Sequence, residues 1–175
     1  MFSTPTLITS AHDVRNFDCG NIALNEFLIK YALANTSAGI ARTFVTTIES
    51  QPVVIGYFSI SAGSVERENA PERVAKGTPK HPIPIALLAR LAVDSKYQGQ
   101  KLGEGLLKQA LLKILEASKA IGLRAVLVHA KNQRAADFYA KYGFMPSPTN
   151  SLHMMLLLKD VIKTIEAKEQ PPANY

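Results

Sequence analysis

Cysteine, tryptophan, acidic residues and long apolar runs are all scarce or absent in this 175-residue sequence, and each shortage excludes a class of function. The single cysteine, Cys19, cannot form an intrachain disulfide or assemble a metal site alone. It reads as a loop or core thiol to which no chemistry is assigned. The four histidines, His12, His81, His129 and His153, are scattered without ligand spacing, so no metal is expected. The longest apolar run, Ile83 to Val93, is too short to span a bilayer, and the opening "MFSTPTLITS" lacks the basic start and long apolar middle of a signal peptide. A cytoplasmic address with no membrane partner is the expectation. Nucleotide-hydrolysing and dinucleotide-binding motifs are missing too: there is no G-x-x-x-x-G-K-[ST] and no G-x-G-x-x-G. Acidic residues number 14 against 20 Lys and Arg, a formal charge of +6. That excess favours a polyanionic partner such as nucleic acid, although solvated basic faces produce the same count.

What is present describes one globular domain over residues 1–175. The chain is 47% apolar and 19% charged, which argues against disorder, and no repeat or linker divides it. "NIALNEFLIKYALAN" places Leu24, Phe27, Leu28, Tyr31 and Ala32 at offsets of three and four behind Asn21, a helix with a side-chain cap. "RTFVTTIE" and "VVIGYFSISAGSV", rich in β-branched and aromatic residues, flank Ser50, Gln51 and Pro52 and predict a hairpin. Residues 66–82 are polar and read as a long surface connection, a length often associated with function. "IPIALLARLAV" predicts a strand buried on both faces, interrupted by Arg90. The helix after it is expected to bury Leu102, Leu106, Leu107, Ala110, Leu111, Ile114, Leu115 and Ile121 and to stop at Gly122. "LRAVLVHA", "NQRAADFYAKYG" and "HMMLLLK" continue as strand, helix and strand. A further helical turn is expected from Asp160, and "EQPPANY" is expected to fray. The fold class is α/β (α+β), a mixed central sheet flanked by helices.

One stretch makes poor local choices. "AVDSKYQGQKLGEGLLKQALLKIL" sets Gly99, Gly103 and Gly105 around a helix start, although glycine inside a helix costs about 0.5–1 kcal/mol relative to alanine. A helix start stripped of side chains exposes unpaired backbone N–H groups and the positive end of the helix dipole, which suits phosphate. Tight packing of helix on strand is the other use for such glycines.

"Q-G-Q-K-L-G" after a buried strand, with "FYAKYGF" about forty residues later, resembles the acetyl-CoA site of the GCN5-related N-acetyltransferases (the GNAT family), whose signature is Q/R-x-x-G-x-G/A. Gln98 and Gly103 match; the first glycine position is Lys101. That position contributes a backbone N–H, so a lysine there adds charge near the pyrophosphate provided its dihedral angles suit the turn. The blocks "FDCGNIALNEFL", "ARTFV", "VIGYFSISAGSV", "PIPIALLARLAVD", "YQGQKLGEGLLKQALLKILEAS", "VHA", "FYAKYGF" and "PSP", over residues 15–158, are similar in order to the acetyltransferase toxins of type II toxin-antitoxin modules, the TacT-like group. The resemblance implies a toxin that acetylates the α-amino group of aminoacyl-tRNA and blocks translation, a homodimer, and neutralisation by a ribbon-helix-helix antitoxin from an adjacent gene.

The resemblance also implies site residues. Acetyl-CoA would be held by Gln98, Gly99, Gln100, Lys101, Leu102, Gly103, Glu104 and Gly105, by the backbone of Leu91, Ala92 and Val93, and near Asn132, which also caps the helix it opens. Tyr139 would protonate the coenzyme A thiolate. No strong general base is required, because an α-amino group titrates near about 8 and is partly neutral at cellular pH. His129 is either a satisfied strand histidine or the holder of a water. Arg90, costly in a buried strand without an anion, is either a tRNA contact or half of an ion pair, and Arg67, Arg73, Lys76 and Lys80 are further candidates for tRNA. Acetylation of a small amine or a protein amine, and a non-catalytic acyl-CoA or nucleic-acid binding module, are the alternative readings.

Overall fold

The computed structural model describes residues 1–169, so "QPPANY" lies outside the described residues. Seven strands, β1 (Thr6–Leu7), β2 (Arg42–Thr47), β3 (Val54–Val65), β4 (Ile83–Val93), β5 (Ala125–His129), β6 (Met145–Pro146) and β7 (His153–Leu157), hydrogen-bond in the order β1-β2-β3-β4-β5-β7-β6. The α-helices are α1 (Ile22–Glu26), α2 (Ala32–Ser37), α3 (Glu72–Ala75), α4 (Leu102–Ala117), α5 (Gln133–Ala140) and α6 (Leu158–Glu169), with a π-helical turn at Phe27–Tyr31 joining α1 to α2. By contact the chain forms two compact units, Met1–Ser61 with Leu88–Ala110, and Ala62–Leu87 with Leu111 onward.

In the first unit, β2 and β3 form the expected antiparallel hairpin, with Arg42 opposite Ile60 and Val45 opposite Tyr57, and Ser50 takes a positive φ of 66° at the turn. Asn21 caps α1, its side chain accepting from the Leu24 amide at 3.1 Å. The predicted helical stripe holds for Phe27, Leu28 and Ala32, which are buried with Ile8, Phe17, Val45, Val54, Tyr57 and Ala92. It fails at Tyr31, which is 54% exposed. The wider π turn has carried that residue off the α-helical stripe. Gly56 is required by packing: a Cβ there would stand 2.9 Å from Leu106 Cδ1 and 3.4 Å from the Ala92 carbonyl oxygen.

The second unit pairs β5 with β7 antiparallel, Ala125 opposite Leu157 and His129 opposite His153. Val65, Ala70, Val74, Ile83, Ile85, Ala125, Leu127, Met155 and Leu157 form its core. Residues 66–82 are more ordered than their polarity suggests, because Ala70 and Val74 anchor α3 into that core. Arg124 donates to the carbonyls of Val74 and Lys76 at 3.1 and 2.9 Å and so ties the segment down. The helix after β4 ends at Ala117, five residues before the Gly122 expected to stop it. Ile121 is consequently 54% exposed and Leu115 only half-buried. Turns over Ser118–Ile121 satisfy the freed carbonyls instead. The helical turn expected from Asp160 is part of the twelve-residue α6.

Candidate functional site

In the first unit, the end of β4 leads through Asp94 into a 3₁₀ turn at Ser95–Tyr97 and then into the glycine-bearing loop before α4. Asp94 is buried, and its carboxylate accepts from the Lys96 amide at 3.0 Å and the Asp18 amide at 3.1 Å. Asp18 returns the contact: its carbonyl accepts from the Ser95 amide at 2.8 Å and the Ser95 hydroxyl at 2.9 Å. Its carboxylate accepts from the Gly20 amide and the Asn25 side chain, and these bonds hold its pKa below the usual carboxylate value. Gln98 Nε2 closes the loop onto the Val93 carbonyl at 2.9 Å and the Cys19 carbonyl at 3.2 Å. The loop is thus braced from residues 18–25, which sequence reasoning did not assign to it. The "FDCG" and "LAVD" blocks were the available signal, but nothing local says that they meet.

The bare helix start has room beside it. Gly103 would place a Cβ no nearer than 3.9 Å to Val93 Cγ2, and at Gly105 and Gly99 a Cβ would meet nothing within 4 Å. Packing of helix on strand therefore does not demand these glycines. The Gly105 amide is bonded to the Lys101 carbonyl at 3.1 Å, so the amides of Leu102, Gly103 and Glu104 precede the intrahelical ladder and face the dipole's positive end. Gly99 has φ +77° and Lys101 φ +60°. Lys101 therefore holds the left-handed backbone that glycine adopts freely. Such a cradle, short of side chains and rich in amides, suits a pyrophosphate.

In the second unit, Asn132 caps α5, its side chain accepting from the Ala135 amide at 2.9 Å, and the positive φ of 86° at Gly143 turns the chain after it. Tyr139 lies on the inward face of α5, its ring against Phe144 at 5.4 Å and Phe138 at 5.2 Å. Burial pushes its pKa up to about 12. The hydroxyl makes no hydrogen bond to any described residue, yet it is not sealed from the surface. A buried ring with an open, unbonded O–H is a protonated donor awaiting an acceptor. Phe138 is half-buried and packs edge-on against Tyr139. His129 is exposed and stacks on His153, ring centroids 4.0 Å apart. Its pKa is lowered, chiefly by the partial desolvation of this otherwise exposed ring and secondly by the neighbouring His153. Among the described residues no group of three or more His, Cys, Asp or Glu could hold a metal.

The candidate basic residues divide by partner. Arg67 donates to the Thr78 carbonyl and, at 2.9 Å, to its hydroxyl, and Arg73 forms a forked ion pair with Asp160 at 2.6–3.0 Å. Arg67 is bonded within its own segment, whereas Arg73 joins α3 to α6 and remains exposed. Lys76 and Lys80 are exposed. Arg90, in the first unit, joins no ion pair among the described residues and instead places its guanidinium 3.7 Å above the Phe27 ring. No described residue supplies the ion pair that was the alternative for it.

Comparison with known proteins finds a match to the Acetyltransferase (GNAT) domain over residues 39–146. The chain is 45% identical over 159 residues to the tRNA-acetylating toxin of Mycobacterium tuberculosis, covering 91% of this chain and 94% of that protein. Among solved structures it is similar to AtaT complexed with acetyl-methionyl-tRNAfMet, with TM-score 0.85 and 29% identity over 93% of this chain and 98% of that one. It is also similar to a tyrosine-to-phenylalanine mutant of the AtaT toxin bound to the C-terminus of the antitoxin AtaR and acetyl-CoA, with TM-score 0.78, 27% identity, and coverage of 95% and 99%.

Proposed function

The chain belongs to the GNAT family of acetyltransferases, and from that membership we propose that it transfers the acetyl group of acetyl-CoA to the α-amino group of an aminoacyl-tRNA, acting as a toxin that stops translation. The observation that carries the acceptor is the 45% identity, over nine-tenths of the chain, to a tRNA-acetylating toxin. The formal charge of +6 supports it, since a cationic small amine would be repelled where a polyanion is drawn in. The family model spans residues from both compact units, which supports one catalytic domain.

Acetyl-CoA supplies an activated acetyl thioester whose sulfur needs a proton as it departs. The amides of Leu102, Gly103 and Glu104, with Lys101 beside them, hold the pyrophosphate, and Gln98, Gly99, Gln100 and Gly105 give the loop its course. The backbone of Leu91, Ala92 and Val93 accompanies the pantetheine arm as an added strand would. Asn132 fixes the start of α5, and Tyr139 Oη, protonated throughout the physiological range, donates to the sulfur. The acceptor amine is partly neutral at cellular pH and needs no strong base. Lys76, Lys80 and Arg90 meet tRNA phosphates; Arg67 and Arg73 shape the segment that presents the two lysines.

The same reading makes the chain a cytoplasmic homodimer whose toxicity is neutralised by a ribbon-helix-helix antitoxin encoded next to it; the antitoxin-bound AtaT supports neutralisation by an antitoxin. The deciding experiment incubates the protein with radiolabelled acetyl-CoA and total charged tRNA, then releases and identifies the labelled amino acids. Label in N-acetylaminoacyl-tRNA is expected. Label only in a polyamine, an aminoglycoside or a protein amine overturns the acceptor while leaving the acetyltransferase.

A further inference from the structure

The contact between Arg90 and Phe27 has no part in the chemistry above. Phe27 opens the π turn Phe27–Tyr31, and π turns concentrate at functional sites. Its ring faces the Arg90 guanidinium at 3.7 Å and stacks on Tyr57 at 6.1 Å with 23° between ring planes. Tyr57 is itself immobile: it is fully buried, and its hydroxyl donates to the Leu24 carbonyl at 2.8 Å. The guanidinium thus rests on a phenyl ring that is itself buried and packed against the buried Tyr57.

Two arginines that do form side-chain ion pairs among the described residues show what a structural role looks like. Arg15 forks onto Asp13 and Arg73 onto Asp160. Arg90, half-buried, is oriented without being neutralised, since no described carboxylate or carbonyl takes its N–H groups. A partly desolvated charge without a counter-ion costs stability, and an aromatic face offsets only part of that cost. The missing anion is therefore sought outside the chain. A guanidinium clamped on one face keeps its planar fork of donors at the edge, a shape matched to phosphate and not reproduced by an ammonium.

We propose that Arg90 binds one phosphate of the acceptor nucleic acid and that Phe27, carried by the π turn, is the positioning residue that holds its guanidinium flat for that contact. The proposal rests on charged tRNA being the acceptor. The test measures kcat and KM for charged tRNA across a salt series, with acetyl-CoA affinity by calorimetry as the internal control. Arg90→Gln should raise KM at least tenfold at low salt and reduce the slope of log affinity against log salt by about one, the signature of one lost phosphate contact. Phe27→Leu, which keeps apolar volume but removes the ring, should raise KM severalfold with kcat within twofold, and Phe27→Tyr should restore it. Acetyl-CoA affinity should not change in any variant.

A parental slope in Arg90→Gln overturns the phosphate contact, and a parental KM in Phe27→Leu overturns the positioning role. Should Phe27→Leu fail to fold, Arg90→Lys replaces it. A raised KM at an unchanged slope there sustains the planar clamp, and a parental KM overturns it. A parent enzyme that acetylates no charged tRNA instead overturns the acceptor reading itself, before any variant is compared.

Discussion

In the proposed reaction Tyr139 supplies the proton through one O–H bond, and its surroundings bear on what that bond can do. A phenol whose pKa is pushed up to about 12 by burial keeps its proton at every physiological pH, so the donor is always armed and never limits the rate by titrating. Tyr139→Phe should lower kcat by roughly 10²–10⁴-fold, the range for a positioned acid, with acetyl-CoA affinity unchanged by calorimetry. In the parent, kcat/KM for charged tRNA should rise tenfold per pH unit up to the acceptor amine's pKa near about 8 and then level, with no falling limb from this residue in the physiological range, since burial raises its pKa. Lys101 carries the opposite tension, a side chain on a backbone of φ +60°. Lys101→Gly should relieve about 1 kcal/mol of left-handed strain and raise Tm by about 2–4 °C, while acetyl-CoA affinity falls severalfold as the ammonium beside the pyrophosphate is lost. An unchanged Tm would show that the loop relaxes around lysine at no cost. The resemblance to the signature pointed to this position, whereas the open Tyr139 hydroxyl could be seen only once its neighbours were placed.

At the scale of elements, periodicity and turn chemistry predicted the long strands and helices well, because each is governed by residues within a few positions of one another. Ile83–Val93, the β2–β3 hairpin and the Asn21 and Asn132 caps were all legible. The failures have particular causes. Gly122 looked like a helix stop, but the chain leaves the helix at Ala117, where turns over Ser118–Ile121 take up the last carbonyls and leave Ile121 exposed. Two-residue strands β1 and β6 carry too little pattern to read and exist because a partner strand supplies their hydrogen bonds. The β5–β7 pairing sets His129 opposite His153, and the lowered pKa of His129 has a consequence for stability. Its folded pKa lies below the unfolded value near about 6.5, so the unfolded chain binds the proton first, and stability present above that pH is lost as the pH falls through the folded pKa. Thermal unfolding should move to lower temperature between pH 7 and pH 5, and His129→Gln should flatten that segment of the curve. A variant as acid-sensitive as the parent would assign the loss elsewhere.

Across the whole molecule, an excess of six positive charges is a statement about partners and not about fold. Composition could not say which cations face outward. The structure bonds Arg67 to Thr78 and the exposed Arg73 to Asp160, and leaves Lys76 and Lys80 exposed. Lys76→Glu with Lys80→Glu should cut acetylation of charged tRNA at least tenfold at low salt, flatten its salt dependence by about two in slope, and spare acetyl-CoA affinity. Arg67→Gln should act differently, lowering Tm through the loosened segment with little change in salt slope. Equal salt slopes in the double variant and the parent would make those lysines a solvated face only.

Read alone, the amino-acid sequence determined the alternation of strands and helices, the capped helix starts, the bare loop before α4 and the absence of metal, disulfide and membrane-spanning signals, since all of these depend on residue type and near-neighbour spacing. Tertiary structure alone decided that Asp18 meets Asp94 across 76 positions, that Phe27 lies beneath Arg90, and that Arg73 is spent on Asp160. Each of those pairings depends on which faces a folded chain buries together. A charged or aromatic side chain carries the same local signal whether it ends beside a carboxylate, a ring or open solvent, and only the packing of distant segments selects among them.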